Sequence, residues 1–345
     1  MTASTPHAGA PVERVHHRAA RFEDWLHRAR ERRARRRGQR PIVVPYTGYG
    51  STEWVRLFCR VVLTKTEPAA AERPEQRIRG WRSFTSVHVA GAKVTIELDG
   101  QRFEVSADRG GVVDIRLDVA LRPGWHTATL SAEHSVEVLA PIFVVDPATT
   151  FGLISDIDDT VMVTALPRPL LAAWNTFVLD EHARIPTPGI AVLYERLMAA
   201  HPGSPVIYLS TGAWNVAPTL SRFLSRNLFP RGPLLLTDWG PTHDRWFRSG
   251  REHKEANLAR LQAEFPSIKW LLIGDDGQHD EEIYAEFAAQ HPENVAAIAI
   301  RRLSTGEAVF AGGRSSAARD SVDVPWVSGN SGSELARGLT AAGLL

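Results

Sequence analysis

The sequence predicts an α/β protein in which a parallel-sheet domain follows an antiparallel β-sandwich and a basic N-terminal helix. Three observations support this order. Arginines crowd the first forty residues, short alternating strands fill the next hundred, and apolar strands separated by helices begin near residue 150. Strands that alternate with helices are typical of a parallel sheet, whereas closely spaced alternating strands are typical of a sandwich. We therefore predict four segments, 1–40, 41–146, 150–303 and a C-terminal tail over 304–345.

The bulk composition predicts a soluble globular protein. The chain has 345 residues, enough for two domains, and its formal net charge of +1 at pH 7 gives no general case for a nucleic-acid partner. The single cysteine, Cys59, excludes a disulfide within the chain and fits a reducing cytosol. The N-terminal residues do not resemble a secretory signal, and no apolar run approaches about 18 residues. We therefore expect a cytoplasmic protein without a transmembrane segment.

The N-terminal segment combines a helical pattern with dense positive charge. Apolar residues recur three or four positions apart from Val15 to Ala29, and an arginine-rich run extends from Arg28 to Arg37. Two interpretations stay open. The helix packs its apolar stripe on the body of the protein, or residues 14–40 make peripheral contact with an anionic membrane, where each basic residue adds on the order of 1 kcal/mol.

The segment 41–146 shows the spacing of a β-sandwich. An Asp99-Gly100 pair between two alternating runs predicts a hairpin, because both turn positions need positive φ. Further strands are expected over 112–117, 127–130 and 135–138, and Cys59 falls in an apolar run typical of a buried strand. We see no cluster of titratable residues in this segment. A structural or docking role is therefore the simplest prediction for it.

After residue 150 the pattern predicts a parallel sheet with intervening helices. The expected strands are Phe151–Ser155, Val206–Ser210, Leu234–Thr237, Trp270–Gly274 and Ala296–Ile300. The expected helices are Gly189–Ala200, Val216–Asn227, Lys254–Phe265 and Asp280–Gln290. Functional side chains of an open parallel sheet gather beyond the carboxyl ends of its strands. The residues that follow these strands are therefore the candidate site.

Three carboxylates, Asp156, Asp158 and Asp159, crowd the end of the first of these strands. They repel one another strongly unless a cation lies among them. Magnesium is the natural candidate, because it is hard, prefers oxygen ligands and keeps coordination positions for water or a substrate phosphate. The alternative is a helix N-terminus stabilised by acidic residues.

Later strand ends add residue types that suit a phosphate. Ser210 and Thr211 are predicted at a strand-to-helix turn, where hydroxyl and backbone N–H groups can donate to phosphate oxygens. Lys254 is predicted to open a helix and supplies a compact cation. A second carboxylate cluster follows the fourth strand and consists of Asp275, Asp276 and Asp280. Each element is weak alone, and their order at successive strand ends makes the set specific.

In this order, the elements resemble the haloacid dehalogenase superfamily of phosphatases. The matching elements are Asp156-x-Asp158-x-Thr160, Ser210, Lys254 and Gly274-Asp275-x4-Asp280. A closer resemblance is to the actin-patch-type phosphatidate phosphatases and their bacterial relatives. It is carried by Ile154–Val161, Thr187–Gly189, Tyr208–Trp214 and Gly274–Tyr284, within about residues 150–302. One departure is Thr211-Gly212-Ala213, where eukaryotic members have an Asn-Ser-Pro-like run, and it bears on lipid specificity more than on the chemistry.

The resemblance implies a magnesium-dependent phosphomonoester hydrolase that acts through an aspartyl-phosphate. Asp156 would attack phosphorus, and Asp158 would protonate the leaving oxygen and then deprotonate water. Ser210 and Lys254 would hold phosphate oxygens. Magnesium would be held by Asp156, the backbone carbonyl of Asp158, Asp275, and Asp280 or Asp276, a choice that the spacing leaves open. Substrate contacts are expected from Thr211, Gly212 and Trp214.

The substrate is the least determined part of the prediction. The insert between Val161 and Pro205 is too short for a large cap domain and is apolar near the nucleophile, which suits a bulky lipid. We favour hydrolysis of phosphatidate to diacylglycerol and phosphate. The alternatives are a phosphatase of a soluble or nucleic-acid phosphomonoester and, in another class, a non-catalytic adaptor with a vestigial phosphatase domain.

Overall fold

The computed structural model describes residues 28–65, 87–163, 185–237, 243–277, 279–304, 307 and 322–345, with side chains described from residue 250 in the helix that begins at His243. Three regions with predictions fall outside these residues. They are the first part of the N-terminal stripe, the apolar insert after Val163, and most of the segment 305–321. Residues 28–36 are helical, and Ala34 of this helix is buried against the strand-rich part of the chain.

The strands of the segment 40–144 form the first sheet. They are β1 (Arg40–Pro45), β2 (Gly48–Gly50), β3 (Val55–Thr64), β4 (Val87–His88), β5 (Lys93–Leu98), β6 (Gln101–Ser106), β7 (Val112–Leu117), β8 (Gly124–Ala132) and β9 (Val138–Val144). Hydrogen bonds join them in the order β1-β3-β2-β9-β8-β5-β6, with β4 and β7 paired to β3. Every pairing is antiparallel except that of β2 with β9.

Two turns of the first sheet are made by residues with positive φ. Asp99 and Gly100 have φ of 49° and 74° and connect β5 to β6, so the predicted hairpin is confirmed. The strand predicted over 135–138 is wrong, because β9 begins only at Val138. His134 adopts a φ of 61°, and the Ser135 amide donates to the Ala132 carbonyl at 2.9 Å, which turns the chain before β9.

The predicted parallel sheet is confirmed and forms the second sheet. Its strands are β10 (Phe151–Asp156), β13 (Val206–Ala213), β14 (Leu234–Thr237), β15 (Lys269–Asp275), β16 (Val295–Arg301) and β17 (Trp326–Gly329), with a small ribbon of β11 (Met162–Val163) and β12 (Ile185–Pro186) beside it. The order is β14-β13-β10-β15-β16-β17, and all five pairings are parallel. Strand β10 is buried along its whole length, as a central strand covered on both faces should be.

The helices of this part of the chain are Ile190–Ala200, Ala217–Arg226, His243–Glu264, Asp280–Gln290 and Gly332–Ala341. The prediction that Lys254 opens a helix is wrong, since it lies in the interior of the helix His243–Glu264, here called the Lys254 helix. The segment before Lys254 is polar but contains no proline, so polarity alone does not end the helix. A Cβ at Gly250 would lie 3.1 Å from Thr211 Cγ2, so this glycine lets the helix pass close to β13.

The end of β13 also differs from the prediction. Ser210, Thr211 and Gly212 lie within the strand, which continues to Ala213 with an irregular register, and not at a strand-to-helix turn. The Thr237 hydroxyl contacts the carbonyls of Thr211 and Gly212 at 3.0 and 3.2 Å and keeps this segment against β14.

The C-terminal residues complete the second sheet, which the sequence did not predict. Strand β17 pairs with β16, and Ser331 caps the following helix by accepting a hydrogen bond from the Glu334 amide. Gly332 packs directly on Gly189, where a Cβ would lie 2.1 Å from the Gly189 carbonyl oxygen. Within the described part of the chain, none of the helices has the length and apolarity to cross a membrane.

Candidate active site

The candidate site lies at one edge of the second sheet, where the carboxyl ends of three neighbouring strands meet. Strand β10 lies between β13 and β15, and all three run in the same direction. The ends of β10 and β15 place Asp156 and Asp275 at this edge, and Ser210 directly follows Leu209, the β13 residue that pairs with Asp156. The edge is therefore the position where an open parallel sheet gathers its functional groups.

Lys254 links the two predicted carboxylate clusters. Its Nζ donates to Asp156 Oδ1 at 2.6 Å and to Asp280 Oδ1 at 2.5 Å. All three side chains are almost completely buried, with 4%, 3% and 1% of the side-chain surface exposed for Lys254, Asp156 and Asp280. Ion pairs removed from water in this way are strong only when geometry and further partners are good.

Three aspartates of the site form a cluster with unused oxygens. Ligand atoms from Asp156, Asp275 and Asp280 all lie within 4.8 Å of one another. The Oδ2 atom of each is buried, and no group of the described residues forms a hydrogen bond with it. Among the described residues, one lysine compensates these three carboxylates, so the cluster as described is short of positive charge. A hard divalent cation with oxygen ligands fits this donor set.

The pKa shifts of these groups reflect the same lack of positive charge. Burial raises the pKa of the Asp156 and Asp275 carboxyls well above their ordinary value, and the charge of Asp280 raises both further. Burial alone would lower the pKa of Lys254, but the charges of Asp156 and Asp280 outweigh it and raise this pKa. The lysine therefore stays a cation, while its carboxylate neighbours are costly to keep ionised together.

Gly274 is required for this arrangement. A Cβ at position 274 would lie 2.6 Å from Asp280 Oδ2 and 2.8 Å from a ring carbon of Tyr284. Any larger residue would therefore displace Asp280 from the cluster. The glycine that begins the Gly274-Asp275-x4-Asp280 pattern has a packing reason at this position.

Asp158 and Ser210 are in direct contact. The Ser210 hydroxyl donates to Asp158 Oδ2 at 3.0 Å and accepts a hydrogen bond from the Gly212 amide at 3.0 Å. Both side chains are buried, with 6% and 0% of the residue exposed. The structure thus places the predicted proton-transfer group beside the predicted phosphate-binding hydroxyl.

Other predicted site residues have different surroundings. The Asp276 carboxylate accepts a hydrogen bond from the Leu303 amide at 2.8 Å and is not a member of the three-aspartate cluster. Of the two aspartates that the spacing left open, Asp280 is the one the structure brings to the cluster. Trp214 is buried, its ring stacks on Tyr46 at 4.8 Å, and its carbonyl accepts the Tyr46 hydroxyl hydrogen bond at 3.1 Å. A substrate contact of Thr211, Gly212 or Trp214 stays a prediction.

The sequence did not single out Arg301. This arginine ends β16 and is 4% exposed, and its Nη1 donates to the carbonyl of Asp159 in the loop after β10. Its only sequence signal is a charged residue directly after the apolar run 295–300, which is too common at strand ends to indicate a function.

The fold and the site together define an α/β protein with a buried carboxylate–lysine cluster that suits a divalent cation at the edge of its parallel sheet. Residues 151–302 match the profile of a family described as "Phosphatidate phosphatase APP1, catalytic domain". For this segment, the match supports the relationship to the phosphatidate phosphatase family that the sequence motifs indicated.

Two curated relatives extend the comparison. The chain is 28% identical over 245 residues to the phosphatidate phosphatase APP1 of Saccharomyces cerevisiae, covering 66% of this chain and 40% of that protein. It is 31% identical over 159 residues to an uncharacterized protein of Schizosaccharomyces pombe, covering 44% of this chain and 25% of that protein. The chain thus spans less than half the length of the curated relatives it matches.

Similarity to solved structures is weak. The comparison with a carbohydrate acetylesterase from Xanthomonas citri covers 77% of this chain and 70% of the esterase chain, with a TM-score of 0.27 and 11% identity. The structure of PhoD overlaps 75% of this chain and 70% of its own with a TM-score of 0.28 and 9% identity. Overlaps at this level carry no argument about fold or function.

Proposed function

We propose that this protein is a magnesium-dependent phosphoric monoester hydrolase and that phosphatidate is its substrate, with diacylglycerol and phosphate as products. One observation carries the proposal. Asp156, Lys254, Asp275 and Asp280 converge at one buried sheet edge inside the segment that matches a phosphatidate phosphatase catalytic domain.

The residues of this edge support a two-step displacement. Asp156 attacks phosphorus, the bond from phosphorus to the ester oxygen breaks, and an aspartyl-phosphate forms. Asp158 gives its proton to the departing alcohol oxygen. A water molecule then attacks the phosphorus of the intermediate, Asp158 takes the proton from this water, and Asp156 is released as a carboxylate with free phosphate.

Lys254 and Ser210 suit the phosphate oxygens in this scheme. Lys254 already contacts the nucleophile at 2.6 Å, so its positive charge lies where a phosphate must approach. The Ser210 hydroxyl can rotate from Asp158 toward a phosphate oxygen, since its hydrogen bond of 3.0 Å is an ordinary one. Both groups stabilise negative charge that develops on the transferred phosphoryl group.

The carboxylate oxygens that the structure brings together support magnesium, in addition to the spacing of the aspartates in the sequence. The unpartnered Oδ2 atoms of Asp156, Asp275 and Asp280 would hold it, and the Asp158 carbonyl is proposed as a further ligand. When bound, magnesium neutralises phosphate charge and lets one anion approach another. Hard oxygen donors favour it over softer transition metals.

We also propose the finer description of the fold. A central β10 that carries the nucleophile between β13 and β15 supports a haloacid-dehalogenase-like sheet over 150–303, although β17 adds a strand from beyond that range. The close approach of β1 to β8, which share no hydrogen-bonded pairing, supports the folding of the first sheet into a sandwich over 41–146.

The basic helix supports peripheral contact with an anionic membrane. Its arginines are all exposed on the described residues 28–37, whereas Ala34 faces the first sheet. At 100° per residue, Arg28, Arg32, Arg33 and Arg36 point away from Ala34. These four side chains can lie on a lipid surface while the helix stays packed.

The catalytic proposal is tested by phosphate release from phosphatidate in phosphatidylcholine vesicles, with magnesium or EDTA, beside a panel of soluble phosphomonoesters. We expect magnesium-dependent release from phosphatidate and a loss of at least about 10³-fold in Asp156→Asn. Asp118→Asn, an exposed aspartate of the first sheet, is the matched control and should keep full activity. Release from soluble esters alone would contradict the lipid substrate, and release from no substrate would contradict the enzymatic proposal.

The membrane proposal is tested separately by vesicle sedimentation with phosphatidylserine-containing vesicles. Changing Arg28, Arg32, Arg33 and Arg36 to Gln should weaken binding at least about tenfold, since each arginine near the surface contributes on the order of 1 kcal/mol. The control changes four exposed cations elsewhere to Gln, and these are Lys93, Arg102, Arg122 and Lys269. Equal loss in both variants would show that net charge and not the helix governs binding.

A further inference from the structure

Arg301 is a buried cation beside the candidate site that the proposed chemistry does not use. It is the last residue of β16, it lies in register with Asp275 on β15, and only 4% of it is exposed. Burying a guanidinium is costly unless specific partners compensate it. The groups that it contacts therefore indicate why this side chain is buried.

The side chain of Arg301 holds the loop that directly follows the proposed nucleophile Asp156. Its Nη1 donates to the carbonyl oxygen of Asp159 at 2.5 Å. Asp159 has a φ of 57°, a left-handed conformation that is unfavourable for a residue with a side chain. This hydrogen bond fixes the peptide at the strained position, three residues after Asp156 and one after Asp158.

The backbone beside Arg301 holds the second carboxylate loop. The Asp276 amide donates to the Arg301 carbonyl at 3.0 Å, and the Leu303 amide donates to Asp276 Oδ1 at 2.8 Å. Residues 301–303 thus contact the loop after β15 through main-chain groups. The loop after β10 is reached by the Arg301 side chain. One short segment thus contacts both the loop that follows Asp156 and the loop that follows Asp275.

The role of Arg301 is geometric more than electrostatic. Its Nη2 forms an ion pair with Glu307 Oε1 at 2.6 Å, so this carboxylate balances much of its charge. Glu307 Oε2 in turn accepts a hydrogen bond from the Ser304 amide at 2.8 Å. Glu307 is thus anchored to the chain just after Arg301 and orients the guanidinium toward Asp159.

We propose that Arg301 is a positioning residue that sets the spacing between the loop after β10 and the loop after β15. The inference rests on the proposed function, because the spacing matters only if both loops act on one phosphate and one cation. A misplacement of about 1 Å at such a site can cost on the order of 100-fold in rate. Removal of Arg301 should therefore lower kcat and weaken magnesium binding, while KM changes little.

The test compares Arg301→Met, Arg301→Lys and Glu307→Gln in the full chain. We expect Arg301→Met to lose about 100-fold in kcat, with KM within about threefold. Arg301→Lys should recover part of this loss, because it keeps a donor that reaches one partner but not both. Glu307→Gln should lose less than Arg301→Met. Arg60→Lys is the matched control, since Arg60 Nε also donates to a backbone carbonyl, that of Gly110 at 3.1 Å, but in the first sheet.

A second readout keeps the inference testable apart from activity. The rise in melting temperature on adding magnesium should be smaller in Arg301→Met than in the wild type and unchanged in Arg60→Lys. If Arg301→Met does not fold, Arg301→Lys and Glu307→Gln carry both measurements. An unchanged kcat and an unchanged magnesium response in a folded Arg301 variant would overturn the proposal. If the wild type hydrolyses no ester, the proposed function fails, and the magnesium response alone decides the role of Arg301.

Discussion

Two groups of charged side chains join distant parts of this chain, and they differ in how their carboxylates are compensated. Between the two sheets, Arg56 and Arg260 face Asp114 and Glu264, two cations against two anions. Each of the four carboxylate oxygens there accepts a hydrogen bond, the last from the hydroxyl of Tyr49. This group is the junction network.

In the aspartate cluster of the candidate site, one cation of the described residues faces three anions. Lys254 contacts Asp156 and Asp280, and Asp275 completes the cluster. The Oδ2 atoms of all three aspartates are buried without a hydrogen bond from the described residues. This group is the site cluster. A network whose charges balance and whose carboxylate oxygens are all hydrogen-bonded holds elements together, whereas an unbalanced one is stable only with a further ligand. The difference separates a structural group from a candidate metal site.

The largest expected effect on stability comes from removing the cation of the site cluster, which tests whether the cluster depends on it more than the junction network depends on any one charge. We expect Lys254→Met to lower the free energy of unfolding in EDTA by about 3–5 kcal/mol, because it leaves buried carboxylates without a partner. Urea unfolding followed by circular dichroism measures this, with the exposed Lys269→Met as control. A loss below about 1 kcal/mol would mean that the aspartates are neutral without their lysine.

A pH-dependent test uses His253, which lies on the same helix as members of both groups. Burial, with a smaller contribution from the charges of Arg260 and Lys254, lowers the pKa of His253 to about 4. The folded state therefore binds fewer protons than the unfolded state below pH about 6.5, so stability is complete above that value and is lost as the pH falls toward 4. Unfolding at pH 7 and at pH 4 should show that the wild type loses about 3 kcal/mol more than His253→Gln. Parallel losses in the two proteins would contradict this.

Magnesium should stabilise the site cluster and leave the junction network untouched. At a concentration 100 times its Kd, a ligand that binds only the folded state adds about 2.7 kcal/mol to the free energy of unfolding. We expect this increase in the wild type and in Glu264→Gln but not in Asp280→Asn. The three melting curves with magnesium and with EDTA decide it, and a response that persists in Asp280→Asn would place the metal elsewhere.

The smallest expected changes in the free energy of unfolding come from removing one carboxylate charge, and they have opposite signs in the junction network and the site cluster. Glu264→Gln should destabilise the metal-free protein by about 1–3 kcal/mol, because charge-assisted hydrogen bonds to Tyr49 and Arg56 weaken. Asp275→Asn should stabilise it by about 1 kcal/mol, because it removes a buried carboxylate whose pKa is raised. Denaturant titrations in EDTA measure both, and destabilisation by Asp275→Asn would show that its charge is already compensated.

The site could be anticipated to the extent that it follows local rules. Asp156 and Asp275 come directly at the ends of apolar strands, and a parallel sheet brings such ends to one edge whatever the intervening sequence. The sequence predicted that Lys254 belongs to the site but placed it wrongly at the beginning of a helix, because no local signal marks where that helix begins. Arg301 could not be anticipated, since its contact with the carbonyl of Asp159 joins residues that are 142 positions apart in the chain.

The sequence by itself determined the parallel sheet, the hairpin at Asp99-Gly100 and two of the clustered aspartates, Asp156 and Asp275, because strand periodicity, turn stereochemistry and strand-end position are local properties. Only the tertiary structure decided that Asp280 and not Asp276 joins Asp156 and Asp275, and that the last strand comes from residues 326–329. It also decided which charged groups are balanced. Those outcomes depend on packing between elements far apart in the chain, where burial sets the cost of every unpaired charge.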